Sequence, residues 1–220
     1  LYIIRFMINN MDVIKRIKSI QRFLETNNLD GFIQPRSDSY LGEYVPLSDS
    51  RLEWISGFSG SAGEILILRN AAILFVDSRY TIQAVNETIN TDIKVVLSSE
   101  ESLTDYIENN LKKLKNIAFD PWLHSLSKIK FLLNVGKKNN LIFTSLKQNP
   151  IDLIWVSNRE DAPKTEIKKH IKKYSDISAS IKIKKLCLIL KSFNADSYII
   201  SQPDAIAWLL NIRGADLKHT

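Results

Sequence analysis

Apolar positions recur along the chain in two periods. From Asp12 to Asn27, Val13, Ile17, Ile20 and Leu24 share one helical face, while Lys15, Arg16, Lys18 and Arg22 lie mostly elsewhere. That spacing predicts an amphipathic helix closed by Asn27-Asn28. Gly31-Phe32-Ile33-Gln34 reads as a short strand stopped by Pro35. Asp38 to Glu43 is polar and loop-like. Two continuous apolar runs come next, Ile65–Leu68 and Ala71–Val76. They read as strands buried on both faces, with Arg69-Asn70 as a two-residue hairpin turn between them. Ser78 is expected to cap a helix to about Glu87, with Tyr80, Ile82 and Val85 as its apolar contacts. A strand Ile93–Leu97, a helix Ser99–Leu111 and a strand Asn116–Phe119 succeed it, the last ending at Asp120-Pro121. A helix Ser125–Asn134 with Gly136 as its stop, then a strand Leu141–Phe143, complete the series. Strands alternating with helices predict an α/β sandwich, its sheet mixed because of the hairpin.

The pattern then changes. Val156 to Ser175 is charged and polar, contains Pro163, and reads as a linker with a lysine-rich helical stretch. Ile177 to Phe193 carries a helical period on Ile181, Leu186 or Cys187, and Leu190. Ser197–Ile200 reads as a strand, and Pro203 starts a helix followed by Ile206, Trp208, Leu209 and Leu210. This repeats the order at the beginning: helix, short strand, turn, helix. The expected organisation is a frayed start at 1–11, a first domain at 12–156, a linker at 157–176, and the incomplete start of a second similar domain at 177–220. Leu1–Phe6 is apolar but short, with no basic lead and no small-residue cleavage site, so Met7 or Met11 is a candidate start.

Candidate chemistry concentrates between Arg51 and Val85. Gly57, Gly60 and Gly63, with Ser59 and Ser61, form a shaped loop. A phosphate-binding loop would need a lysine after its last glycine and a helix behind it. Here Glu64 comes after Gly63 and the next element is a strand, so a tight structural turn is expected. Arg79 falls just beyond a central strand, where α/β proteins keep functional side chains. A guanidinium can bind a carboxylate or peptide carbonyl through two parallel hydrogen bonds. A structural salt bridge to Asp77 is the competing reading. Trp54 is expected to pack rather than bind. His124, His170 and His219 lack the i+4 partner of an H-E-x-x-H zinc helix, and no metal-ligand set can be assembled from the sequence.

Composition adds exclusions. The 220 residues carry a formal net charge of +6, with lysines densest between Lys164 and Lys191. Aromatic residues are not interleaved with them, so solvated helix faces are expected rather than a nucleic-acid surface. Cys187 is the single cysteine and lies in the apolar run Leu186–Leu190. A buried, unreactive thiol and a reducing compartment are expected. No apolar run is long enough to span a bilayer.

The string RLEWISGFSGSAGEILIL with AAILFVDSRYTIQA resembles the N-terminal domain of Xaa-Pro aminopeptidases, in the creatinase or "pita-bread" metallopeptidase family. Asp38-Ser39-Tyr40 with Glu43–Pro46, then Ile117–Pro121 and Asn149–Trp155, occur in matching order. Asp204–Asp216 resembles the start of the second domain in three-domain members. The resemblance implies a creatinase N-terminal-like α/β sandwich with a mixed sheet, plus the incomplete start of a second one. It implies a metallo-exopeptidase that removes an N-terminal residue ahead of proline, so the substrate is a peptide with proline in second position. Two divalent ions, manganese, would be held by two aspartates, a histidine and two glutamates of a C-terminal domain. By this reading no catalytic or metal-binding residue lies in the present chain, which is inactive alone. Arg79, matching the arginine of D-x-R-Y, would bind the peptide, and the chain would add substrate gating and homodimer contacts in a cytoplasmic enzyme. A non-catalytic peptide- or protein-binding module and a non-functional gene fragment are the alternatives, and neither nucleic acid nor membrane is an expected partner.

Overall fold

In the computed structural model, residues 2–110 and 112–215 are described. Leu111 at the expected helix end, Asp216 at the end of the Asp204–Asp216 stretch, and His219 lie outside them. Six strands form one sheet: β1 (Gly31–Pro35), β2 (Glu64–Leu68), β3 (Ala71–Val76), β4 (Ile93–Leu97), β5 (Asn116–Phe119) and β6 (Ile142–Ser145). Their order is β4-β3-β2-β1-β5-β6. Strand β2 is antiparallel to both neighbours, and the remaining pairs are parallel. All strands but β2 therefore run in one direction. The hairpin is the reason: Arg69-Asn70 turns the chain back so that Ile65 pairs with Leu74 and Ile67 with Ala72.

Alternation along β2 and β3 feeds two apolar layers, as a period of two requires. Ile65, Ile67, Leu74 and Val76 join Val13, Ile17, Ile20 and Leu24 on one face. Leu66, Leu68, Ile73 and Phe75 join Leu103, Ile107 and Leu132 on the other. Both strands are buried along nearly their whole length. The expected mixed α/β sandwich is the architecture observed.

Eight helices flank or succeed the sheet among the described residues. Helix α1 (Tyr2–Thr26) carries the predicted stripe in its second half and begins well before Asp12. Helix α2 (Arg51–Ser56) was not expected, and Gly57 ends it in the left-handed conformation at φ 77°. Helix α3 (Thr81–Thr88) comes after a 3-10 turn at Ser78–Tyr80, and the cap is Asp77 rather than Ser78. Its buried residues are Ala84 and Thr88; of the expected apolar contacts Tyr80 packs against the core, while Ile82 and Val85 are exposed. Helix α4 (Leu103–Asn110) is opened by reciprocal bonds: Asp105 N–H donates to Ser102 Oγ, and Ser102 N–H donates to Asp105 Oδ2.

Helix α5 (Leu126–Asn139) runs straight through Gly136 and stops at Asn140, which is left-handed at φ 53°. Gly136 is there for proximity, not as a stop. A Cβ on it would lie 2.4 Å from the Leu141 carbonyl oxygen, where the chain turns back into β6. Helix α6 (Pro150–Ile154) is capped by Asn149.

Beyond it, β7 (Lys168–Lys169) pairs with β8 (Ile212–Arg213) around α7 (Ala179–Ser192) and α8 (Pro203–Leu210). Lys182 is buried there, donating to the Trp208 carbonyl at 2.6 Å and to Asn211 Oδ1 at 2.7 Å, with its ammonium over the Trp208 ring. Two expectations fail in this part. Ser197–Ile200 is not a strand, because no described segment pairs with it in a ladder. Cys187 is exposed, not buried: the apolar run of α7 is met by α8 on one side only, and Leu188 and Ile189 stay exposed with it.

Candidate functional site

Because all strands but β2 run the same way, one rim of the sheet collects the residues just past the ends of β1, β3 and β5. These are Arg36, Asp77–Tyr80 and Asp120. The glycine loop joins them, since β2 begins at the same rim. Its shape comes from packing. Phe58 is fully buried, and a Cβ on Gly60 would sit 2.1 Å from its ring. The loop folds over its own phenylalanine, which glycine alone permits.

The loop already holds a negative charge. Ser59 donates to the Glu87 carboxylate through its backbone N–H at 2.9 Å and its hydroxyl at 2.6 Å. Gln83 Nε2 donates to Glu87 Oε1 and to Ser59 Oγ. A further anion would meet that carboxylate, which supports the structural-turn reading over a phosphate site. Behind the loop, burial raises the Glu53 pKa, with Arg36 opposing and Glu87 adding to the rise. Arg36 Nε donates to the Gly60 carbonyl at 2.7 Å.

Arg79 stands at the outer edge of this rim, its side chain 66 % exposed. It forms the salt bridge to Asp77 that the sequence offered as an alternative. Nη2 donates to Asp77 Oδ2 at 2.6 Å, and Nε lies 3.1 and 3.2 Å from the two carboxylate oxygens. The hydrogen bonds and charge of Asp77 raise the guanidinium pKa, and the Arg79 hydrogen bond lowers that of the carboxyl. The guanidinium lies 5.3 Å from the centre of the Tyr80 ring, and the Tyr80 hydroxyl meets Ser61 Oγ at 2.6 Å. Glycine loop and arginine are thus brought together through Tyr80.

Other residues with candidate chemistry lie elsewhere. Trp54 stacks on Trp155 with ring centres 5.3 Å apart, and Arg16 covers its other side, as packing predicts. His124 packs edge-on to Phe119, and its Nε2 is buried without a hydrogen-bond partner. Burial, then the charge of Lys128, lowers its pKa to about 4. His170 lies near Tyr174, far along the chain from the rim. Among the described residues no group of three or more His, Cys, Asp or Glu side chains is gathered where a metal ion could be held.

Two polar clusters were missed by sequence reasoning. Asn149 Nδ2 donates to Gln34 Oε1 at 2.8 Å and to Asp120 Oδ2 at 3.1 Å, all three buried. Arg51 grips Asp152 with Nε and Nη2 and Asp49 with Nη1, while Arg159 donates to Asp152 and to the Ser48 carbonyl. The second cluster pins the chain where it leaves the first sheet.

A six-stranded mixed sheet between two apolar layers, with a glycine loop and an arginine at one rim, defines the class of protein. Residues 16–154 match the model of the creatinase/prolidase N-terminal domain, and residues 158–220 match a second model of that description. The chain belongs to the creatinase/prolidase N-terminal domain family. It is 31% identical over 208 residues to a "Probable Xaa-Pro aminopeptidase P" of Aspergillus flavus, covering 93% of this chain and 32% of that protein. A protein of the same name from Penicillium rubens is 31% identical over 95% of this chain and 34% of its own length. The chain spans about a third of the length of these curated relatives. The solved X-prolyl aminopeptidase of Caenorhabditis elegans, described as a cytosolic enzyme with a di-nuclear active site, shares the fold at a TM-score of 0.82. It is 24% identical and covers 94% of this chain and 35% of that one. No helix among the described residues is long and apolar enough to cross a membrane.

Proposed function

We propose that this chain is the non-catalytic N-terminal region of an Xaa-Pro aminopeptidase, a metallo-exopeptidase that removes an N-terminal residue ahead of proline. The observation that carries the reading is Arg79: an exposed guanidinium on the D-x-R-Y motif, at the rim of the sheet, in a chain covering a third of relatives with that name. In this reading the rim borders the entrance to a catalytic domain. It limits the length of the peptide that enters, and Arg79 binds the peptide with a charge-assisted hydrogen bond. Two divalent ions, manganese, and the groups that hold them belong to that other domain. The chain also contributes contacts in a cytoplasmic homodimer.

Purified chain supplied with manganese and a peptide carrying proline in second position should show no turnover above a blank. Clear turnover would place catalytic groups inside the chain and end the proposal. When the chain is supplemented with a catalytic domain from a relative, Arg79→Ala should lower kcat/KM roughly 10- to 100-fold, the range for losing a hydrogen bond to a charged group. Arg79→Lys should recover only part of that loss, because lysine keeps the charge and lacks the planar fork. An unchanged kcat/KM for Arg79→Ala removes its assigned role.

A further inference from the structure

An exposed ion pair ordinarily does little to fix its partners. The exceptions are bidentate arginine–carboxylate pairs built into a larger network. Arg79 is in such a network. Asp77 Oδ1 accepts from the Arg79 backbone N–H at 2.9 Å, so the carboxylate is fixed as the cap of the 3-10 turn before it meets the side chain. It then receives Nε on both oxygens and Nη2 on Oδ2. Tyr80 supports the guanidinium from a second direction, and that ring is itself anchored. Its hydroxyl meets Ser61 Oγ, and it packs edge-to-face with the buried Phe58 at 5.5 Å. A continuous path of contacts runs from the core through Phe58 and Tyr80 to an exposed charge.

We propose that Asp77 and Tyr80 are positioning residues for Arg79. Asp77 takes up the Nε–Nη2 edge and Tyr80 lies against the guanidinium, which leaves the Nη1–Nη2 edge for one acceptor group approaching end-on. The class of that acceptor, a peptide carboxylate or carbonyl, rests on the reading of Arg79 as a peptide-binding residue; the positioning does not. The consequence is selectivity of approach. A ligand that needs the Nε–Nη2 fork must first displace Asp77, whereas one that accepts from the outer edge meets a donor already oriented and loses less freedom on binding.

The chain itself, labelled with 15N, provides the test. Asp77→Asn keeps an oxygen that can cap the turn but removes the charge and the two-oxygen grip. In the wild type the Arg79 Nε–H order parameter should lie near the rigid-backbone value of about 0.85, and in Asp77→Asn it should fall below about 0.6 with the unfolding midpoint unchanged. Tyr80→Phe, which keeps the ring and loses the tie to Ser61, should fall between. A mobile Nε–H in the wild type, or an unchanged one in Asp77→Asn, overturns the assignment. Addition of the tripeptide Ala-Pro-Ala should shift the Nη signals and leave Nε in place. A shift of Nε with loss of its order refutes the outer-edge assignment. If no Arg79 nitrogen responds while Nε stays ordered, the peptide-binding reading fails and the positioning stands.

Discussion

His124 makes the chain acid-sensitive by an amount set by its surroundings. Its ring lies against Phe119, Nε2 is buried without a partner, and Lys128 adds a nearby positive charge. Burial first and Lys128 second hold its pKa at about 4, against an ordinary 6.5. The folded ring therefore stays neutral over a range in which the unfolded ring takes up a proton. Between pH 6.5 and 4 the unfolded state binds more protons, so stability rises with pH across that window and falls as pH drops through it. The loss amounts to about 2 kcal/mol at pH 5 and about 3 kcal/mol at pH 4, and it levels off below. Carboxylates also titrate there, so the informative quantity is a difference. His124→Phe keeps a ring beside Phe119 and removes both the titration and the unpaired nitrogen. Urea unfolding of both proteins from pH 7.5 to 4 should give curves that run parallel above pH 6.5 and diverge by about 3 kcal/mol at the acid end. The 13C shift of the His124 ring should titrate near 4. Titration near 6.5, or parallel curves throughout, would show that the ring reaches water and that the reasoning from burial is wrong.

Three further outcomes can be measured directly. Asp152→Ala leaves Arg51 without its bidentate partner and Arg159 without its closest carboxylate. It should lower unfolding free energy by about 2 kcal/mol, between the values for exposed and for buried pairs because Asp152 is only partly buried, and a loss below about 0.5 kcal/mol in urea would mean that solvent or Asp49 takes its place. Gly60→Ala places a methyl inside the Phe58 ring position. It should cost about 1–3 kcal/mol as an overpacking substitution, visible as a lower Tm, and an unchanged Tm would show that the loop can move off the ring. The amides of residues 197–201 have no ladder partner among the described residues. They should exchange with solvent orders of magnitude faster than those of β2, and comparable protection would show that this segment is paired in solution.

How far the fold could be read in advance depended on whether the deciding interaction was local. The hairpin at 64–76 was legible because two unbroken apolar runs and a two-residue polar turn leave few other arrangements. The stripe of α1 was legible for the same reason. Helix α2 was not, since six residues between Ser50 and Gly57 are too short to show a period. Gly136 was misread because glycine marks helix ends by conformation and close contacts by size, and only the position of Leu141 separates the two. Asn149, Gln34 and Asp120 are far apart in sequence, and nothing local to any of them announces the others. The strand expected at Ser197–Ile200 and the burial expected at Cys187 failed alike: both properties belong to a neighbour as much as to the residue.

Arg79 falls between these cases. Its place beyond β3 and its pairing with Asp77 were both visible, as rival readings of one residue. The geometry makes them compatible. A salt bridge that used the whole guanidinium would have excluded binding, and an unpaired guanidinium on the surface would have bound without direction. Asp77 takes one edge, Tyr80 supports the plane, and the side chain remains two-thirds exposed. The salt bridge is therefore compatible with the proposed binding role and sets the direction from which an acceptor would approach. Raised salt should then weaken both only slightly if the network holds Arg79 in place, because contact hydrogen bonds are screened far less than long-range attraction. A steep fall in Arg79 Nε–H order on going from low salt to a several-fold higher sodium chloride concentration would show that charge alone keeps the pair together.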